Sequence, residues 1–217
     1  LPEEDRAAAE LIRNVLAADG VTIRAGAKVA GVGLREDRRV VTYRVATEVD
    51  PAEVVVDAVL VAEGRLANVE ELNLEAVGIF ADPFDGIPVD EYLQTRAPTI
   101  SALGDVLGHH RWAHAAEREA EVVFQNAILR LSRKMDYQTV PRVTYTDPEV
   151  ASVGQIALPV DTEVPVHCVQ VDLAELDRAH IDGASQGFAK VLADGAGRIL
   201  GATVVAPQAS AVLMEFI

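Results

Sequence analysis

The sequence predicts an α/β domain joined to a mostly antiparallel α+β domain. Three observations carry that reading. Residues 3–18 place Ala8, Leu11, Ile12, Val15 and Leu16 on one face at a spacing of 3.6, as an amphipathic helix does. Glu53 to Ala62 is a continuous apolar run broken only by Asp57, a pattern that suits a central strand buried on both faces. Two apolar runs near the C-terminus, Gly187–Ala193 and Arg198–Ala206, flank Asp194-Gly195-Ala196-Gly197, which reads as a β-hairpin.

The elements follow in order. Pro2 and the acidic Glu3, Glu4 and Asp5 suit the first turn of the opening helix, and Asp19-Gly20 stops it. Val21–Ile23 reads as a short strand. Lys28–Leu34 and Val41–Val45 form a meander around a charged turn at Glu36–Arg39, and Asp50-Pro51 marks a further turn. Residues 68–78 read as a loop with one short amphipathic turn, and 80–88, rich in Pro, Gly and Asp, as an exposed loop. A helix of about five turns is expected with Ala116, Ala120, Val123, Ala127 and Leu131 on its inner face. The polar stretch Ser132–Tyr137 is the expected domain boundary. Strands are expected at 143–146, 150–153 and 164–171, and a last helix near Pro207.

Composition bounds the function. The 217 residues hold 19 Lys and Arg against 34 Asp and Glu, a formal charge of −15. A nucleic-acid backbone or an anionic membrane surface is therefore not the expected partner. The single cysteine, Cys168, excludes an internal disulfide framework and points to a cytoplasmic protein. No apolar run approaches the roughly 18 residues of a membrane span. Leu1-Pro2 at one end and Met214–Ile217 inside an apolar run at the other read as cut ends, so the chain is expected to be a fragment.

One stretch suggests a ligand. The apolar run Thr99–Leu103 ends at Gly104-Asp105, and His114-Ala115 soon opens the long helix. Glycine lets backbone approach a ligand, a carboxylate accepts hydrogen bonds from hydroxyls, and a helix N-terminus adds partial positive charge. A polyol or phosphate would fit. Gly64, at the end of the 53–62 run, permits a sharp exit, and Arg65 beside it is a candidate partner for an anion or carboxylate. Gly31-Val-Gly33 lacks the third glycine and the helix start of a dinucleotide loop. His109, His110 and His114 carry no Cys or carboxylate pattern, so no metal site is expected. Cys168 reads as a buried, inert thiol.

These stretches, in this order, resemble the C-terminal half of the pyridine nucleotide-disulfide oxidoreductase family, dihydrolipoamide dehydrogenases and mercuric-reductase-like flavoenzymes above all. Val59–Asn68 is similar to the family's strand and Gly-Arg signature, and Thr95–Asp105 to its second flavin motif. Ala113–Glu117 resembles the helix start beneath the flavin, and Val140–Gly154 the opening of the dimerisation domain. Arg178-Ala179, Gly187–Lys190 and Arg198–Ala202 continue that domain.

The resemblance implies that residues 1–62 are the end of an NAD(P)-binding domain, 63–137 an FAD-binding and central region, and 138–217 most of a dimerisation domain. It implies FAD and NAD(P) as cofactors, a homodimer, and a small-molecule or disulfide substrate. Cofactor contacts would fall to Gly104, Asp105, His114, Ala115, Gly64 and Arg65. No catalytic residue is expected here, because the redox cysteines and the His–Glu pair of the family are absent, and the fragment alone is expected to be inactive. Ala67 and Ser101 replace the usual proline and tyrosine. Ala206, Ser210 and Ala211 replace Gly, Gly and Glu, so the start of the last helix is expected to pack differently. Two alternatives stay open: a non-catalytic dimerising module, and an NADH oxidase or peroxidase type.

Overall fold

The computed structural model describes residues 1–46, 50–158 and 165–217. It is a mixed α/β molecule with two antiparallel sheets, and it divides into two compact units. One unit is Arg13–Arg65; the other joins Leu1–Ile12 to Leu66–Ile217.

Helix α1 spans Arg6–Ala18. It begins later than the acidic sequence suggests because Asp5 caps it: the Asp5 carboxylate accepts the N–H groups of Ala7 and Ala8 at 2.9 and 3.2 Å. Gly20, at φ 87°, follows its end.

In the smaller unit, β1 (Ala27–Arg35), β2 (Arg38–Val45) and β3 (Ala52–Val56) form a meander. Arg35 pairs with Arg38 across Glu36 and Asp37, both at positive φ, so the charged turn is a two-residue hairpin loop. Gly31 and Gly33 lie within β1. Two expectations fail here. Val21–Ile23 is not a strand. The 53–62 run is not a central strand: only Ala52–Val56 pairs, and with β2 alone. An apolar run is buried on both faces only when strands flank it and layers cover it. Here Val54 and Val55 are half exposed, and Leu60 is 90% exposed.

In the larger unit, residues 66–112 run mostly without regular structure around a core that includes Ala67, Ile79, Ile87, Leu93, Leu107 and Val122. The 80–88 loop is only partly exposed as expected. Phe80 and Phe84 are open, but Ile87 joins that core. Helix α2 (Ala113–Ala127) follows. It ends four residues before Leu131, where Asn126 folds the chain back. Its side chain donates to the Arg133 carbonyl and accepts from the Arg133 N–H, both at 2.8 Å.

The second sheet orders β4 (Arg142–Thr144), β5 (Glu149–Gly154), β8 (Ile199–Ala206), β7 (Phe188–Asp194) and β6 (Val166–Asp172), all antiparallel. The expected start of β6 at Val164 lies outside the described residues. A short helix α3 (Asp177–Ile181) precedes β7, and α4 (Ala209–Leu213) follows β8. Period-two alternation divides the sheet's two faces. Ala202, Val204 and Ala206 pack with Ala151, Val153 and Leu213 of α4 on one face. Val150, Phe188 and Val205 pack with Ala8 and Ile12 of α1 on the other. Polar contacts fix the N-terminal segment in place. Thr144 and Ser152 hydroxyls donate to Glu4 at 2.8 and 3.2 Å, and Lys190 pairs with Asp5.

One detail differs from the sequence reading. Cys168 is exposed: among the described residues β6 is an edge strand paired only with β7. The last helix starts at Ala209, near Pro207 as expected, where the Ser210 N–H and hydroxyl donate to the Glu149 carboxylate at 3.1 and 2.9 Å.

Candidate functional site

The Gly104-Asp105 turn sits at the start of a short 3-10 helix, Gly104–Leu107. Leu103 before it is extended, and Gly104 turns at φ 80°, a conformation that a side chain would strain. Gly104 is buried and Asp105 is exposed. The turn is locked from behind by a second glycine pair. A Cβ on Gly86 would stand 2.4 Å from the Val106 carbonyl oxygen, and one on Gly108 would stand 2.4 Å from that of Asp85. The two backbones touch where only glycine fits, and the Ile87 N–H donates to the Val106 carbonyl at 2.8 Å. Neither glycine carries a motif that sequence reasoning could have used.

Helix α2 begins just beyond. Trp112 at its N-cap is extended and makes no side-chain cap hydrogen bond, so among the described residues no capping side chain meets the amides of the first turn. No acidic residue stands in that first turn. The electropositive end of a 15-residue helix is thus available to an electron-rich group. His114 is exposed on this turn, and Ala115 is fully buried beneath it.

The buried face of α2 is not the expected one. Ala115, Glu119 and Val122 face inward, rotated by one residue from the Ala116–Ala120–Val123 stripe. Glu119 explains the shift. It is fully buried, its Oε2 accepts the Gly104 N–H at 2.5 Å, and its Oε1 accepts the Tyr137 hydroxyl at 2.8 Å. A pattern rule sends glutamate to solvent, but two donors compensate its burial here. Its spacing of four from Ala115 and three from Val122 was the available signal.

Aromatic side chains close this side of the turn. Tyr137 stacks on His110 with centroids 4.1 Å apart, and His109 meets Tyr137 edge-on at 5.7 Å. Because a carbonyl only accepts, His109 Nδ1 carries the proton it donates to Leu107 at 2.8 Å. Burial, with His109 and Arg142 nearby, lowers the His110 pKa, which favours a neutral ring. A cavity of about 420 Å³ opens beside the cluster, lined by Asp90, Leu93, Leu107, His109, Met135 and Tyr137 among others. Among the described residues, no group of His, Cys, Asp and Glu is placed to hold a metal. No helix among them is long and apolar enough to cross a membrane.

The larger unit thus brings together Gly104, Asp105, His114 and Ala115. Gly64, at φ 118°, and Arg65 are both exposed and belong to the smaller unit.

A family model for pyridine nucleotide-disulphide oxidoreductases matches residues 1–120, and one for that family's dimerisation domain matches residues 140–217. A dihydrolipoyl dehydrogenase of Thermus scotoductus is 35% identical over 219 residues, covering 99% of this chain and 47% of the relative. A mercuric reductase of Streptomyces lividans is 30% identical, covering 93% of this chain and 43% of the relative. Among solved structures, the HOCl-induced flavoprotein disulfide reductase RclA of Escherichia coli superposes with a TM-score of 0.81 at 26% identity, covering all of this chain and 50% of that one. The chain spans about half the length of the curated relatives it matches. With one family model on residues 1–120, more than half of the chain, and that family's dimerisation domain on residues 140–217, this chain belongs to the pyridine nucleotide-disulphide oxidoreductase family.

Proposed function

We propose that this chain is the C-terminal part of an FAD-dependent NAD(P)H oxidoreductase acting on a disulfide or related acceptor. It would supply part of the flavin site and the dimer platform, and would be inactive alone. The observation that carries the reading is the Gly104-Asp105 turn, held next to a helix N-terminus that has no capping side chain. Those groups fit a flavin. The exposed Asp105 carboxylate suits the ribityl hydroxyls, and the first-turn amides of α2 at His114 and Ala115 suit the electron-rich pyrimidine edge. FAD, when bound, supplies the electron relay between NAD(P)H and the acceptor. The protein's part is to orient the isoalloxazine and to place a fixed positive dipole where negative charge accumulates on reduction. Gly64 and Arg65 are assigned further cofactor contacts on the family resemblance alone.

The domain roles follow the same reading: residues 1–62 complete an NAD(P)-binding domain, 63–137 the FAD-binding central region, and 138–217 a dimerisation domain. The match of the dimerisation model to residues 140–217 supports a homodimer. A cytoplasmic location rests on the single cysteine.

The test is spectroscopic. Purified full-length protein is expected to be yellow and to bleach anaerobically with NADH or NADPH. A colourless protein that takes up no FAD on reconstitution would contradict the reading.

A further inference from the structure

We infer that Glu119 is a positioning residue for the flavin-binding turn: its buried carboxylate sets where the Gly104-Asp105 backbone stands, and so where Asp105 presents its own carboxylate. The inference rests on the flavin reading of that turn.

The geometry leaves little room for another role. Glu119 is fully buried, so its carboxylate does not reach solvent. Its two oxygens serve two different segments, Oε2 the Gly104 amide fifteen residues upstream and Oε1 the Tyr137 hydroxyl eighteen residues downstream. Gly104 is where the chain turns at positive φ, and Asp105 is the next residue. Fixing the Gly104 N–H fixes the Leu103–Gly104 peptide plane, the unit just before the positive-φ turn that leads to Asp105. A Cβ on Gly104 would meet only Ala116 Cβ, at 3.7 Å, an ordinary contact. The Gly86–Gly108 contact holds the far side of the turn, and on the α2 side the hydrogen bond to Glu119 ties it down.

Tyr137 completes the device. Burial and the Glu119 carboxylate raise its pKa, so the hydroxyl stays protonated and keeps donating. Its ring lies on His110, which anchors the donor from outside the helix. The Glu119 side chain bonds to Gly104 and Tyr137, not to the Asp105 carboxylate or the first-turn amides of α2, so it acts on them through Gly104.

The experiment uses the full-length protein and reads FAD dissociation and the visible flavin spectrum. Glu119→Leu, which keeps side-chain bulk and removes both acceptors, is expected to weaken FAD binding roughly tenfold or more and to alter the spectrum of flavin bound at saturation. Glu119→Gln keeps an acceptor for Gly104 and a polar group for Tyr137, and is expected to stay within about threefold of wild type. If Glu119→Leu does not fold, Glu119→Asp takes its place. It retracts the carboxylate by one methylene and is expected to give the same spectral change with a loss of about threefold or more.

A lower melting temperature with wild-type FAD affinity and an unaltered flavin spectrum would make Glu119 a core residue only and overturn the inference. Asp105→Ala separates the two failures. If it releases FAD while the Glu119 variants do not, the positioning role falls and the flavin site stands. If neither has an effect, the flavin reading itself falls.

Discussion

Two antiparallel sheets in this molecule arise from similar alternating sequences and end in opposite states. In the five-stranded sheet, Val150 to Val153 and Gly201 to Ala206 are all buried. In the three-stranded meander only Val40 is buried, while Val32 is 56% and Leu34 77% exposed. The difference is not strand propensity. The larger sheet has a layer on each face, α4 on one and the start of α1 on the other. In the meander, arginine–carboxylate pairs on the open surface, such as Arg35–Glu53 at 2.9 Å, contribute little. Pairing makes a strand, and covering layers make a core.

Three substitutions would sharpen or break that contrast. The largest effect is expected from Lys190→Met. Lys190 and Asp5 are both nearly buried, and the substitution leaves the Asp5 carboxylate buried without its cation, holding only the Ala7 and Ala8 N–H groups, just where α1 covers the sheet. A loss of about 3–5 kcal/mol in urea unfolding is expected. Wild-type stability would mean that the N-terminal segment does not cover the sheet in solution. Leu213→Ala removes the fully buried anchor of α4 and is expected to cost about 2–5 kcal/mol by the same measurement. The smallest change is expected from Val32→Ala on the open meander, within about 0.5 kcal/mol of wild type. A cost comparable to that of Leu213→Ala would show that the meander face is covered in solution.

The same contrast explains what could be read in advance. Alternation and turn chemistry located the meander, the C-terminal hairpin and most strands, because those signals are local. They misplaced the 53–62 run and Cys168, because burial depends on what lies beside a strand, and β3 and β6 each have a neighbour on one side only. In the site, the glycine of Gly104 and the start of α2 were legible. The pairing of Gly86 with Gly108 and the bonds of Glu119 to Gly104 and Tyr137 were not, since they join residues 15 to 22 positions apart across an irregular segment. Glu119 was the harder miss: a carboxylate inside a helix face looks like an error of pattern until its donors are seen.

The central claim is that the Gly104-Asp105 turn holds a flavin, and the most direct measurement is the FAD-to-protein ratio of full-length Asp105→Ala beside wild type after identical purification and gel filtration. Asp105 is exposed, so its loss should leave the fold intact while removing hydrogen bonds to the ribityl chain. A folded, flavin-depleted variant beside a flavin-loaded wild type is the expected result. Equal FAD occupancy in the two proteins would contradict the account.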